Sequence, residues 1–344
     1  MSALTTLLGI AHPIIQAPMA GVQTSALAIA VSQAGGLGSL PCAMLSHDAL
    51  QTELSKLKAS DCGPYNVNFF CHTTPTPDGA KEQRWREALA PYYAEFDIDP
   101  SVAAPEQPRA PFSAELAELL REFAPPIVSF HFGLPSADLL ERVRSWGAKI
   151  IGCATTAEEA RWLELHGADA IIAQGVEAGG HRGMFLTTDL ATQISTAELV
   201  TQIVAAVRVP VIAAGGIADA AGVRAMMALG AAGAQIGSAY LLCPEATTRP
   251  VHRLALQSPA AQHTALTTVF SGRPARGIVN RLMRELGPIS MLAPAFPLAS
   301  AAVAPLRAAA EQCGSGDFSP LWAGQNTSGC KAIPAAELTR QLVD

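Results

Sequence analysis

Along most of this chain, short apolar runs bounded by glycine or proline alternate with longer, Ala-rich amphipathic stretches. That alternation constrains the fold more than any other feature. A short apolar run suits a strand buried on both faces of a parallel sheet, and the amphipathic stretch after it suits the helix that crosses back. The strands expected are Ile14 to Ala17, Leu37 to Leu40, Tyr65 to Phe70, Ile127 to Phe132, Lys149 to Cys153, Ala170 to Gln174, Pro210 to Ala214 and Ala234 to Gly237. The helices expected between them include Ser25 to Gln33, His47 to Lys58, Ser113 to Phe123, Ser136 to Trp146, Ala157 to His166, Thr196 to Val207 and Ala218 to Leu229. Ser113, Ser136, Thr156 and Asp219 stand where side-chain oxygens cap free helical N–H groups. Eight such units favour an α/β fold of the closed (β/α)8 TIM-barrel type over a doubly wound sheet. No Gly-x-Gly-x-x-Gly opens the first unit, which argues against a Rossmann-type dinucleotide site.

At 344 residues and 49% apolar, the chain can bury a barrel core with material to spare. Two segments fall outside the repeat: the proline-rich residues 73–111, and about a hundred residues after the eighth strand, with an Ala-rich helix expected over Ser300 to Gln312. Insertions after barrel strands emerge at the catalytic face. The expected organisation is therefore a barrel from 1–72 and 112–242, with a lid or substrate subdomain from 73–111 and 243–344.

Net charge is −6 with 15% charged residues and no Lys/Arg cluster, which argues against a nucleic-acid partner. Seven scattered cysteines, without a C-x-x-C pair, read as reduced thiols of a cytoplasmic protein rather than a metal or disulfide framework. The start of the chain lacks the pattern of a signal peptide, and no apolar stretch is long enough for a membrane span. Oligomeric state, including a homo-oligomer, is left open.

Two glycine turns follow the last two strands: Ala214-Gly215-Gly216-Ile217 and Ile236-Gly237-Ser238-Ala239. The loops after strands seven and eight of such barrels recur as phosphate sites, and glycine lets backbone N–H groups come close. The first strand ends in Gln16-Ala17-Pro18-Met19-Ala20-Gly21, whose small residues and proline leave room for a flat aromatic ligand with Met19 as a soft contact. A plain turn with a buried methionine is the competing reading.

The most informative segment is Gln174-Gly175-Val176-Glu177-Ala178-Gly179-Gly180-His181-Arg182-Gly183, directly after strand six. A histidine on a glycine-flanked loop at that barrel end is where a general base belongs, and its ordinary pKa of about 6.5 suits proton abstraction near neutrality. In Ser129-Phe130-His131-Phe132-Gly133, alternation puts Ser129 and His131 on one face, as substrate-side groups or as satisfied core residues. Asn68 is either a partner for a polar ring edge or an Asx-turn residue. Glu177 is the only carboxylate near His181, so no metal is expected there. Cys153 reads as a small residue packed beside a ligand.

Together these segments resemble the nitronate monooxygenase family, formerly grouped as 2-nitropropane dioxygenases. The resemblance is carried by His12 to Val22, Ala34 to Gly38, Ser129 to Gly133, Gln174 to Gly183, Gly215-Gly216 and Gly237-Ser238, with Ser271 to Gly277 and Pro320 to Gln325 further on. It implies noncovalent FMN, with Gly215, Gly216, Gly237 and Ser238 near its phosphate and Met19, Asn68, Gln174, Gly179 and Gly180 near its ring or ribityl chain, beside Ala17 and Pro18. His181 matches the family's catalytic histidine. The implied reaction is oxidation of a nitronate or nitroalkane by O2 to a carbonyl compound and nitrite, the substrate being propionate-3-nitronate or an alkyl nitronate. Arg182, Arg273 and Arg276 are candidates to pair with a distal carboxylate, although long loop arginines more often stay solvated. The main alternative is an FMN-dependent NAD(P)H reductase acting on an enoyl-acyl carrier protein or a quinone. The quinone reductases carry a lysine after strand five, where this chain reads Ile151-Gly152-Cys153-Ala154. A flavin-binding protein without turnover is the third reading.

Overall fold

The computed structural model describes residues 2–99 and 109–344. Its strands are β1 (Ile14–Gln16), β2 (Gly38–Pro41), β3 (Tyr65–Phe70), β4 (Ile127–His131), β5 (Lys149–Ala154), β6 (Ala170–Gln174), β7 (Gly180–His181), β8 (Val211–Ala214), β9 (Gly233–Ile236), β10 (Thr264–Thr267) and β11 (Ala275–Ile278). Eight of them form one parallel sheet in the order β1-β9-β8-β6-β5-β4-β3-β2, and a parallel bridge between Ile15 and Leu37 joins its two edges into a barrel. These are the eight strands expected from sequence, each within one residue at either end.

The barrel interior is filled by residues pointing inward from several strands, among them Ile15, Ile127, Ile151, Ile172 and Ile212. Helix α1 (Ala3–Leu8) closes the lower end, where Leu4 and Leu8 join the same cluster. A fully buried aliphatic side chain contributes about 1.5–3 kcal/mol, so this layered interior is the fold's main anchor. On the β1–β4 side the interior turns polar. Asn66 Nδ2 donates to Ser39 Oγ at 3.0 Å and to Ser129 Oγ at 2.9 Å, while Gln16 Nε2 donates to Gln23 Oε1 at 2.8 Å.

Around the barrel run α2 (Ser25–Gln33), α3 (His47–Ala59), α4 (Gly79–Glu95), α5 (Ala114–Phe123), α6 (Ala137–Arg144), α7 (Ala157–Leu165), α8 (Thr196–Ala206) and α9 (Ala220–Ala228). Ser113, Thr156 and Asp219 cap their helices through the side chain as expected. Ser136 does not: it holds the N-cap position of α6 but makes no side-chain cap bond.

The expected insertion 73–111 lies partly outside the described residues, at 100–108. Its described part is dominated by α4, a helix concealed in the sequence by Pro91. Trp85, Leu89, Tyr92 and Tyr93 fall on one helical face and bury against Val303 and Leu306 of α12 (Ala299–Gln312), and against Val269, Leu282 and Phe318. Trp85 Nε1 donates to Ala299 O at 3.2 Å. Between β9 and α12 lie α10 (Pro250–Leu256) and α11 (Arg281–Glu285). The last helix, α13 (Ala335–Gln341), returns to the barrel wall: Ala335, Leu338 and Leu342 pack with Leu27 and Val31 of α2. Outside the barrel, β10, β11 and β7 form an antiparallel sheet, with Ala275 opposite His181 and Arg276 opposite Gly180. Among the described residues no helix is long and apolar enough to cross a membrane.

Candidate active site

A cavity of about 240 Å3 opens at the C-terminal end of the barrel. Its floor is the top of the interior core, since Cys153, Ile172 and Ala214 belong to both. Gly215, Gly216, Gly237 and Ser238, at the ends of β8 and β9, line one side, and Ala17, Pro18 and Met19 follow from β1. At Gly215 φ is +128°, and a Cβ there would stand 2.6 Å from Thr196 Oγ1, so no other residue fits this turn. Ser238 Oγ accepts from Gly324 N at 2.9 Å, which ties the Trp322–Gly324 segment to the glycine side. Met19 is held through its backbone N, which donates to Gln23 Oε1 at 2.8 Å.

His181 lines the opposite part of the cavity on β7, and its position is over-determined. Its carbonyl accepts from Gln174 Nε2 at 2.9 Å and from His131 Nε2 at 3.2 Å. Its own Nε2 is 2.8 Å from Ser271 Oγ. Its ring meets those of Phe132, Phe296 and Trp322 edge-on. Burial, reinforced by Arg109, His131, Arg273 and His72, holds the imidazole well below its ordinary pKa of 6.5, so it is neutral at physiological pH. Burial also drives His131 down to about 3, which leaves it an uncharged donor to the loop.

Gln174, Gly179, Gly180 and His131 line the cavity. Gln174 spends its amide on the loop itself, since its Oε1 accepts from Gly183 N at 2.7 Å while its Nε2 holds His181. Asn68 also lines the cavity, but its Nδ2 crosses to Ser129 Oγ at 2.9 Å on β4 rather than closing an Asx turn. Ser129 corrects an expectation. It shares the inward face with His131 but sits one layer lower, 1% exposed, and its hydroxyl is committed to Asn66 and Asn68. It supports the wall and does not face the cavity. Cys153 does line the cavity, and burial pushes its thiol up to about 12, so it is no thiolate nucleophile.

The three arginines named from sequence are structural. Arg182 is fully buried and donates to Gly175 O at 2.7 Å, to Gln174 O at 2.5 Å and to Gln193 Oε1 at 2.8 Å. Arg276 donates to Val176 O at 2.8 Å. Arg273 lies 3.8 Å over the Phe132 ring and donates to Met184 O. None of them lines the cavity; Arg109 and Arg307 do. Ser271, Arg109, Arg307, Trp322 and Phe296 carried no local signal, because their segments reach the barrel mouth only through tertiary packing. Ser271 and Trp322 fell within recognised segments, Ser271 to Gly277 and Pro320 to Gln325, but the place of Ser271 beside His181 depends on β11 pairing with β7. Among the described residues no group of three or more His, Cys, Asp or Glu side chains is placed to hold a metal ion.

The family model described as nitronate monooxygenase matches residues 1–344. The chain is 42% identical to a nitronate monooxygenase of Pseudomonas aeruginosa over 99% of this chain and 97% of that protein. It is 42% identical to one of Paraburkholderia phytofirmans over 99% and 93%. Among solved structures, nitroalkane oxidase from Streptomyces ansochromogenes superposes with a TM-score of 0.89 at 39% identity, covering 99% of this chain and 96% of that one. A match at this identity, running through the barrel and every segment around its mouth, makes the protein an oxidoreductase belonging to the nitronate monooxygenase family.

Proposed function

We propose that this protein oxidises nitronates, and neutral nitroalkanes after deprotonation by His181, with O2 to a carbonyl compound and nitrite, using FMN in the barrel mouth. The observation that carries the reading is a buried, uncharged imidazole facing a cavity whose other side is built of glycine turns.

The residues present fit FMN. Gly215 and Gly216 leave backbone bare where a side chain would intrude, and Gly180 has no atom within 4 Å of where its Cβ would stand. Gln235 lines the cavity with a buried Oε1 that has no partner, an acceptor suited to a flavin N–H or a ribityl hydroxyl. In this reading Gly215, Gly216, Gly237 and Ser238 hold the phosphate, and Ala17, Pro18, Met19, Asn68, Gln174, Gly179 and Gly180 border the ring and chain. FMN supplies the redox chemistry when bound.

The protein's part is proton handling, orientation and exclusion of water. Being neutral, His181 can take the acidic proton next to the nitro group, while Ser271 fixes the ring at Nε2. Arg109 and Arg273 disfavour the imidazolium so formed, and the same charges favour the nitronate anion formed beside it. A preformed nitronate needs no base. Helix α4 and the residues from α10 to Trp322 act as cover to the barrel, with Trp322 and Phe296 shielding His181 from water.

The test mixes the yellow holoprotein anaerobically with propionate-3-nitronate in one cuvette and with NADH in another, and follows bleaching of the flavin absorbance. Bleaching by the nitronate alone is expected. Rapid bleaching by NADH alone would move the chain to the reductases, and no bleaching by either would leave a flavin-binding protein.

A further inference from the structure

The loop that carries His181 is gripped from the neighbouring barrel unit by a carboxylate. Glu159 stands in the first turn of α7, after β5, and is fully buried. The order Thr156-Ala157-Glu158-Glu159 has the form of a capping box, in which Glu159 would reach back to the N–H of Thr156. It reaches further. Its Oε2 accepts from Thr155 N at 2.7 Å and from Thr155 Oγ1 at 2.8 Å. Its Oε1 crosses to the chain just beyond His181 and accepts from Phe185 N at 2.6 Å and Leu186 N at 3.2 Å.

A second line of bonds leads from the same carboxylate to the residue next to His181. Thr155 Oγ1 accepts from Gln193 Nε2 at 3.1 Å, and Gln193 Oε1 accepts from Arg182 Nε at 2.8 Å. The buried Arg182 guanidinium then donates to Gly175 O and Gln174 O, which folds the loop back onto the end of β6. Glu159 also offsets the cations beside the loop. Burial lowers Arg182 and Arg273 to about 10, and Glu159 opposes that in both, while Arg273 donates to Met184 O. Every bond that Glu159 makes through its carboxylate is accepted. A glutamine of the same size would turn one end into a donor facing donors.

We infer that Glu159 is a positioning residue for His181: it fixes the chain on the far side of the base directly, and the near side through Thr155, Gln193 and Arg182. It does not line the cavity and touches no reacting atom. The inference rests on the proton-abstraction reading above. Proton transfer needs the base within hydrogen-bond reach of the substrate, and a misplacement of about 1 Å from a distant change costs about 100-fold. A preformed nitronate skips that step, so comparing the two substrate forms separates alignment of His181 from general damage to the fold.

The experiment compares kcat/KM for neutral 1-nitropropane and for propyl-1-nitronate, by oxygen consumption, in the wild-type holoprotein, Glu159→Gln, Thr155→Val and Gln193→Leu. The ratio of nitroalkane to nitronate should fall about 10–100-fold in Glu159→Gln. It should fall by about 3–10-fold in Thr155→Val and Gln193→Leu, which cut the line to Arg182 and leave Glu159 in place. Equal loss on both substrates, or ratios changed less than about threefold, would overturn the inference and leave Glu159 a helix cap. If Glu159→Gln does not fold, the other two variants decide by the same limits. Amide hydrogen exchange, read by mass spectrometry, separates this from the parent reading. If the wild type oxidises neither compound, the functional reading fails. The hold of Glu159 on the His181 segment then stands only if exchange over residues 174–186 quickens at least about tenfold in Glu159→Gln while that of β5 is unchanged; equal protection overturns it.

Discussion

At the scale of single residues, His181 is the clearest case of environment setting chemistry. Its ring is buried, and four groups that can carry positive charge face it: Arg109 from the insertion, His72 after β3, His131 at the end of β4 and Arg273 before β11. Each disfavours the imidazolium, so the folded pKa lies well below 6.5 and the basic form persists at pH values where an ordinary histidine would be protonated. For a neutral nitroalkane, kcat/KM should therefore rise through an acid limb that lies below the usual histidine range and stay level from there to neutrality. Arg109→Met removes one of the opposing charges and should move that limb upward. A limb at about 6.5 in the wild type, measured from pH 4.5 to 8, would mean that the base is solvated or is a different group. Which strand-end residues stand at the barrel mouth was legible from sequence, because loops after parallel strands converge there, whereas Arg109, Arg307 and Trp322 reach it only through tertiary packing. What they bond to was not. Gln174 reads as a ligand contact yet spends its amide on the His181 loop, and Ser129 and His131 share a face but lie in different layers.

At the scale of elements, the eight strands were legible because a strand buried on both faces must be continuously apolar and short, leaving few places for its ends. Gly38 marks how closely the surrounding helices approach. A Cβ on it would stand 1.9 Å from the carbonyl oxygen of Ala28 in α2, a backbone atom that cannot move without the helix. Gly38→Ala should cost about 3 kcal/mol, at the upper end of overpacking effects. Gly79→Ala, at the first residue of α4 with nothing within 4 Å of the new methyl group, should be neutral or slightly stabilising. Urea unfolding of both variants checks the pair, and equal stabilities would show that α2 yields freely. The elements that sequence left hidden share a physical reason. Helix α4 contains Pro91, and its apolar stripe makes sense only against α12, some two hundred positions away. Strand β7 is two residues long and exists only because β11 pairs with it, so the strand carrying His181 is a product of tertiary contact.

For the molecule as a whole, these buried histidines link stability to pH. His72 follows β3, His131 ends β4, His181 lies on β7 and His252 on α10; His72 and His252 are 5% exposed and His131 and His181 are partly exposed at the cavity wall, and burial lowers each of them: His72 and His252 to about 4, His131 to about 3, His181 well below 6.5. The unfolded chain binds protons at these positions below about pH 6.5, and the folded chain does not until much lower. Their contribution is therefore full above the unfolded pKa and declines as pH falls toward the folded values. The loss is at most about 1.4 kcal/mol per pH unit for each, and smaller for the partly exposed His131 and His181. Carboxylates add to acid unfolding only near and below their own unfolded pKa of about 4, so the window between pH 6.5 and 5 belongs to the histidines. Urea midpoints should be constant from pH 8 to 7 and fall steeply from 6.5 to 5. His131→Gln, which keeps a neutral donor for the His181 carbonyl, should make that fall shallower by about one proton's worth. A wild-type midpoint that stays flat down to pH 5 would mean that the histidine side of the cavity admits water and protons without unfolding, and that the neutral His181 on which proton abstraction depends is not held by burial.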